Sequence, residues 1–239
     1  MEHNQTNKYF VLSDIHGRPI GIEDFEQRNF DLNNPNHIIV LLGDYFDRGD
    51  ENLMVLRFIE KYKKLLNDRF IVLKGNHDEF IHKFITYIEE NFKVGQALVI
   101  DPEILNHWFR NGGEITLNQL FGSHHGIYTP TKQKNLERLK QFYNQLEDYY
   151  ETEDYIFTHA CINEERQIDT WDRFFLHEGM KTDKTLVIGH TTHDYLINLV
   201  VFFPYGLGIV AQSLKPTLCP VYNIDNGRGN NIVVFEESN

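Results

Sequence analysis

Cysteine is nearly absent: Cys161 and Cys219 are the only two in 239 residues. That excludes a disulfide framework and makes a reducing, cytoplasmic setting the expectation. Long hydrophobic runs are missing too. The longest apolar stretch, Leu196 to Gly208, is interrupted by Asn198 and Pro204 and falls short of the roughly 18 residues that a membrane span requires. Met1 to Lys8 is polar and lacks the apolar core of a signal peptide. Basic residues are in deficit, with 23 Lys and Arg against 35 Asp and Glu and a formal net charge of −12. A chain that grips long nucleic acid relies on clustered Lys and Arg, so that class is disfavoured. A small phosphorylated substrate whose charge is met by bound cations remains compatible. No P-loop and no Cys-x5-Arg signature is present, which removes two other routes to phosphoryl chemistry. With no repeat, no low-complexity tract and no linker, residues 1–239 read as one domain.

What the chain does have is five apolar runs that each end in metal-binding chemistry. Tyr9 to Leu12 leads into Asp14-Ile15-His16-Gly17, and Ile38 to Leu42 into Gly43-Asp44-Tyr45-Phe46-Asp47-Arg48-Gly49. Phe70 to Leu73 leads into Gly75-Asn76-His77-Asp78, Tyr155 to Thr158 into His159, and Leu186 to Ile188 into Gly189-His190-Thr191. Short runs rich in β-branched and aromatic residues, closed by Gly or Asp/Asn turns, predict buried strands. Sites in open α/β sheets form beyond the carboxyl ends of such strands.

Between these runs, Glu51 to Leu66 has helical spacing, with Leu53, Leu56 and Ile59 on one face. From residue 80 to about 150 the strand rhythm gives way to helical patterns at Phe80 to Phe92, Pro102 to Arg110, Ile115 to Phe121 and Thr131 to Tyr150. The last carries Leu136, Leu139, Tyr143 and Leu146 in 3-4-3 spacing after Pro130, which suits a helix start. This block predicts a helical cap beside the sheet. Strand character returns at Thr185 to Ile188, Leu199 to Phe203, Ile209 to Ala211, Val221 to Ile224 and Ile232 to Phe235, as meandering strands of a second sheet.

Asp14 and His16 are two residues apart, so on extended chain they leave the same face and can reach one cation. Asp44 has two carboxylate oxygens that can each bind a different ion, and two metals about 3.5–4 Å apart suit phosphoester hydrolysis. Asn76 offers a carbonyl oxygen, and His159 and His190 offer imidazole nitrogens at matching strand ends. Alone, each is an ordinary turn or structural residue; in combination they form a ligand set. Oxygen and imidazole donors without thiolate favour Mn²⁺, Fe²⁺/³⁺ or Zn²⁺.

These motifs, in this order over residues 14–191, resemble the calcineurin-like metallophosphoesterase superfamily. The Asp44-Tyr45-Phe46-Asp47-Arg48-Gly49 form is similar to its phosphoprotein phosphatase branch, including bacterial and phage members and the symmetrical diadenosine tetraphosphate hydrolases. Asn111-Gly112-Gly113 followed by Thr116-Leu117 resembles the helical region of the bacterial members. The resemblance implies an α/β two-sheet sandwich flanked by helices, with the cap inserted. It implies that Asp14, His16 and Asp44 hold one metal, with Mn favoured, and that Asp44, Asn76, His159 and His190 hold the other, a bridging hydroxide attacking phosphorus directly. It further implies that His77 protonates the leaving oxygen and Asp47 orients His77. That pairing is also chemically apt, since an alkoxide needs a proton and a carboxylate keeps an imidazole charged. Arg48 suits forked phosphate binding, and Arg173 stands where related enzymes place another phosphate-binding arginine.

Asp78 replaces a Glu common in the branch, a shorter acidic arm that should not affect metal binding. Cys161 reads as a small buried residue near the metals, and His193 is one position too late for a Gly-His-x-His ligand. The expected reaction is phosphomonoester hydrolysis of the serine/threonine protein phosphatase type. A dinucleoside polyphosphate hydrolase is the alternative with the same core, and a non-catalytic metal-binding interaction protein is the rival of another class. Cap residues 80–150 and the segment from Ile168 to Met180 would then govern selectivity.

Overall fold

Three short, almost wholly buried strands start the structure because their sequences are apolar on both faces, as parallel strands covered on both sides require. They are β1 (Lys8–Leu12), β2 (His37–Leu41) and β3 (Phe70–Val72). The computed structural model describes residues 6–172, 182–191, 200–203, 206–210, 221–225, 228 and 231–237. A short helix, α1 (Ile22–Glu26), and a long one, α2 (Asn52–Leu66), connect the three strands, which pair in parallel. Four helices follow: α3 (Asn76–Asn91), α4 (Pro102–Arg110), α5 (Gly113–Leu120) and α6 (Pro130–Asn144). Helices α4 and α6 each begin with Pro, and their caps are Asp101 and Thr129, whose side chains accept from Glu103 N and Lys132 N. Proline lacks the N–H that the first helical position leaves unused.

The second half is strand-rich: β4 (Tyr149–Glu151), β5 (Tyr155–Thr158), β6 (Cys161–Ile162), β7 (Ile168–Asp169), β8 (Thr185–Ile188), β9 (Val200–Phe203), β10 (Gly206–Val210), β11 (Val221–Asn223) and β12 (Val233–Glu236). One sheet has the order β12-β1-β2-β3, with β12 antiparallel to β1. The other runs β4-β5-β8-β11-β10-β9, parallel at β5-β8-β11. A small ribbon joins β6 and β7. The two-sheet α/β architecture with a helical block is therefore the expected one.

Side-chain alternation explains how the sheets pack. Tyr9 and Val11 of β1, with Val40, Leu42, Ile71 and Phe235 of the same sheet, meet Phe157 and Val187 of the other in one apolar layer between the sheets. The other face of β1 to β3, through Phe10, Leu12, Ile39, Leu41 and Val72, packs on Val55, Ile59, Phe84, Ile88, Leu139 and Phe142 of the helices. Each such buried side chain contributes about 1.5–3 kcal/mol relative to exposure.

Two expectations need correction. Helix α6 stops at Asn144, not Tyr150, and Tyr149–Glu151 pairs antiparallel with β5. Leu146 continues the helical spacing and packs on the same core, but Glu147 N bonds to Val72 O and Lys74 N to Glu147 O. The chain is thus drawn into the edge of β3 before entering the second sheet. Helix α3 begins at Asn76 rather than Phe80, because the Asp78 carboxylate caps it by accepting Gly75 N at 2.9 Å.

Candidate metal centre

Because β1, β2 and β3 are parallel, as are β5 and β8, the turns that follow them gather at one edge of the sandwich. Asp14 N bonds to Gly43 O at 3.2 Å and His16 N to Asp44 O at 2.9 Å. At this edge the sheets are joined by His190 N donating to Asp14 Oδ2 at 3.0 Å and by His159 Nδ1 to Leu42 O at 2.8 Å. Asp14, His16, Asp44, Asp47, Arg48 and His190 all have left-handed backbones, with φ between 48° and 73°. Such conformations cost on the order of 1–3 kcal/mol each and persist only where surrounding contacts enforce them. Glycine makes the approach of the turns possible. A Cβ at Gly75 would lie 3.0 Å from Asp44 Cγ and nearer still to its Oδ1 and backbone N.

The structure brings together every sequence-predicted residue that it describes. Donor atoms of His16, Asp44 and His77 lie within 4.8 Å of one another, and so do those of Asp44, His159 and His190. Asp44 belongs to both groups and turns one oxygen to each: Oδ2 is 3.6 Å from His16 Nε2, and Oδ1 is 3.5 Å from His159 Nε2. Asp14 Oδ1 stands 3.9 Å from His16 Nε2. Asn76 Oδ1 is 3.0 Å from His159 Nε2 and 2.9 Å from His190 Nδ1.

The tautomers test whether these groups fit cations. His16 Nδ1 lies 2.9 Å from Phe46 O and His159 Nδ1 lies 2.8 Å from Leu42 O, so in the neutral ring each Nδ1–H donates to a carbonyl. Each Nε2 then carries the lone pair, on the side of Asp44, the tautomer in which histidine serves as a metal ligand, although His16 Nε2 here also accepts from Arg48 Nη1 at 2.9 Å. Asn76 Oδ1 and His159 Nε2 consequently face each other as two acceptors, which calls for a cation or a proton between them. The donor set fits two hard or borderline ions.

Electrostatics agree. Burial raises Asp14 well above the usual carboxylate range, and Asp225 and Asp44 raise it further. Burial also works against an ionised Asp44, yet His159, His77 and His16 outweigh it and hold the carboxyl below its usual value. Burial lowers His16 to about 3, so it is neutral and available as a ligand near pH 7.

Beside these groups, His77 Nδ1 lies 2.7 Å from Asp47 Oδ2. Arg48 reaches His16 Nε2 through Nη1 and His77 Nε2 through Nη2, both at 2.9 Å. The cap closes on this trio. Gly112 O accepts from Arg48 N at 3.1 Å, Trp108 Nε1 donates to Asp47 Oδ2 at 2.9 Å, and Thr116 Oγ1 donates to Asp47 Oδ1 at 2.6 Å.

Sequence reasoning missed several of these roles. Asp78 is fully buried and accepts from Asp44 N at 3.0 Å and Gly75 N at 2.9 Å. It braces the turns, and its place three residues after Gly75, in the first turn of α3, was the available signal. Ser13 donates to Asp14 Oδ2, and Asp225, after β11, is buried close enough to raise Asp14. Only the Asp225-Asn226-Gly227 turn hinted at the latter. Cys161 is half-buried, not buried, and packs against the cluster of Ile156, Ile162, Leu186 and Ile188. Arg173 and His193 lie outside the described residues.

Comparisons with known proteins converge on one family. A family model described as calcineurin-like phosphoesterase matches residues 8–207. A serine/threonine-protein phosphatase of Caenorhabditis elegans is 40% identical over 73 residues, 30% of this chain and 15% of that protein. The symmetrical bis(5'-nucleosyl)-tetraphosphatase of Wigglesworthia glossinidia brevipalpis is 35% identical over 107 residues, 43% of this chain and 37% of that protein. The matched stretches thus span well under half of these curated relatives. Among solved structures, the cold-active protein-tyrosine phosphatase of a psychrophilic Shewanella species superposes with a TM-score of 0.52 at 15% identity, covering 98% of this chain and 76% of that one. This likeness concerns the fold.

Proposed function

Since the chain belongs to the calcineurin-like phosphoesterase family, we propose that it is a binuclear metal-dependent phosphoric ester hydrolase acting on phosphomonoesters, in the manner of serine/threonine protein phosphatases. The observation that carries this reading is the shared carboxylate: Asp44 offers one oxygen toward His16 and the other toward His159. In this reading Asp14, His16 and Asp44 would hold one cation, and Asp44, Asn76, His159 and His190 the second, with Mn²⁺, Fe or Zn each suited to oxygen and imidazole donors without thiolate. When bound, such a pair would neutralise charge on phosphoryl oxygens and make a bound water more acidic and so a better nucleophile.

The chain's own residues do the rest. Arg48, already beside His16 and His77, offers a fork for the phosphoryl oxygens. His77, held at Nδ1 by Asp47, accepts at Nε2 from Arg48 here; once Arg48 turns to the phosphoryl oxygens, Nε2 would carry a proton and give it to the leaving oxygen as the P–O bond breaks. The non-described Arg173 is the sequence candidate for a second phosphate contact.

A second reading, symmetrical hydrolysis of dinucleoside polyphosphates, draws support from the longer match to the tetraphosphatase relative. The two share the same centre, and fold alone does not choose between them. Metal-stripped protein is assayed on para-nitrophenyl phosphate before and after adding Mn²⁺, with Asp44→Asn alongside. Activity that returns with Mn²⁺ in wild type and not in Asp44→Asn supports the hydrolase; inactivity of Mn²⁺-loaded wild type on this ester, on a phosphopeptide and on diadenosine tetraphosphate refutes it. Faster turnover of the phosphopeptide supports the first substrate class, and faster turnover of the dinucleotide the second.

A further inference from the structure

Asp47 is 1% exposed, as are Trp108 and Thr116, which reach it from 61 and 69 residues away. Its carboxylate is held from three directions. His77 Nδ1 meets Oδ2 at 2.7 Å, the Trp108 indole N–H spans Oδ1 at 3.0 Å and Oδ2 at 2.9 Å, and the Thr116 hydroxyl donates to Oδ1 at 2.6 Å. Thr116 also acts in reverse, since its Oγ1 accepts Asp47 N at 2.8 Å, with Asn52 Oδ1 close by at 3.1 Å. These bonds fix a residue whose backbone is left-handed, φ 73°. Gly113 lets the indole into place, because a Cβ there would land on the Trp108 ring.

A buried carboxylate needs hydrogen-bond partners in any protein. What sets these apart is that the same carboxylate orients His77. With both oxygens clamped, the carboxylate cannot rotate, and the imidazole bonded to it keeps Nε2 turned to the site. We propose that Trp108 and Thr116, on α4 and α5 of the cap, are positioning residues for leaving-group protonation, acting through Asp47 on His77. The cap is therefore part of the mounting of the proton donor as well as a cover over the site. The inference rests on the reading of His77 as the acid. In that step a water oxygen bonds to phosphorus as the ester P–O bond breaks, the leaving oxygen takes the Nε2 proton of the His77 imidazolium, and the neutral imidazole left behind is reprotonated by solvent.

The test uses Mn²⁺-loaded full-length protein on two esters, para-nitrophenyl phosphate, whose leaving group needs little protonation, and phenyl phosphate, whose leaving group needs more. Orienting partners of this kind are worth about 10–100-fold in activity. Trp108→Phe and Thr116→Val are expected to lose that much kcat on phenyl phosphate and far less on the nitrophenyl ester. Thr116→Ser, which keeps the hydroxyl, should restore the wild-type ratio. A loss equal on both esters, or no loss, overturns the proposal. If Trp108→Phe does not fold, the Thr116→Val and Thr116→Ser pair carries the test. His77→Asn on the same esters separates the two claims: if its own defect ignores the leaving group, the acid reading has failed; if its defect follows the leaving group while those of the cap variants do not, only the positioning inference has. A readout independent of turnover is the Trp108 indole N–H resonance of protein loaded with diamagnetic Zn²⁺ in place of Mn²⁺, assigned against Trp171→Phe. It should move upfield in Asp47→Asn as the charged acceptor is lost, and an unmoved signal contradicts the contact.

Discussion

Gly75→Ala isolates the packing that places Asp44. Gly75 has φ −105° and ψ 169°, a backbone that alanine adopts freely. Conformation alone would therefore make the substitution stabilising by about 0.4–1 kcal/mol, through the unfolded chain. The new Cβ, however, would sit 3.0 Å from Asp44 Cγ and closer to Oδ1 and the backbone N. Ordinary contact requires the carboxylate to retreat by about 1 Å, and overpacking of this kind costs about 1–3 kcal/mol. The net loss is about 1–2 kcal/mol, or roughly 2–8 °C in Tm for a domain of this size. The effect on function should be larger than that on stability, because Asp44 belongs to both ligand groups and a displacement of about 1 Å costs on the order of 10²-fold in rate. Gly95→Ala is the matched control. Gly95 has φ +95° with nothing within 4 Å of its added Cβ, so it should lose about 1–2 kcal/mol from backbone strain alone while keeping its metal. Bound Mn²⁺ after equilibrium dialysis, turnover of para-nitrophenyl phosphate and thermal melts are measured on both. Wild-type metal content and turnover in Gly75→Ala would refute the reasoning.

Asp78→Ala strips the acceptor from the buried Asp44 and Gly75 N–H groups, and at about 1–3 kcal/mol for each orphaned group its denaturant midpoint should fall well below that of wild type. Chelation should lower Tm reversibly: cations at about 100 times their dissociation constant stabilise by roughly 2.7 kcal/mol, and a Tm unchanged by EDTA would speak against tight binding. Bonds from Arg166 lower the Glu151 carboxyl to about 2, with a further contribution from Lys184. A depressed carboxyl stabilises above its unfolded value of about 4.3 and loses that contribution as pH falls toward 2. The gap in Tm between wild type and Glu151→Gln should accordingly be full at neutral pH and shrink between pH 4.5 and 2; a gap that widens on acidification contradicts the assignment.

How much was legible beforehand follows from where the information resides. The strands and their ligand-bearing ends are local features: an apolar run and the Gly, Asp or Asn that closes it are neighbours in the chain, and parallel pairing then puts all such ends on one edge. That Asp14, His16, Asp44, Asn76, His159 and His190 would gather in one place could thus be expected in advance. The end of α6 could not, because Leu146 keeps the helical period while the pull on Glu147 comes from Val72 and Lys74. The bracing part played by Asp78 went unread for a related reason: an acidic residue near a site looks the same in sequence whether it projects into the site or lies buried beneath it.

From the sequence alone came the chemistry available to this protein: which oxygen and imidazole donors it carries, at which strand ends, and a formal net charge of −12. Tertiary structure alone decided which groups meet. His190 N reaches Asp14 across 176 residues, and Trp108 and Thr116 clamp Asp47 across 61 and 69. Such contacts leave no periodicity or spacing in the chain, since they are selected by burial: once Asp47 is sealed from water, its oxygens must find donors, and the cap helices that seal it are the ones that supply them.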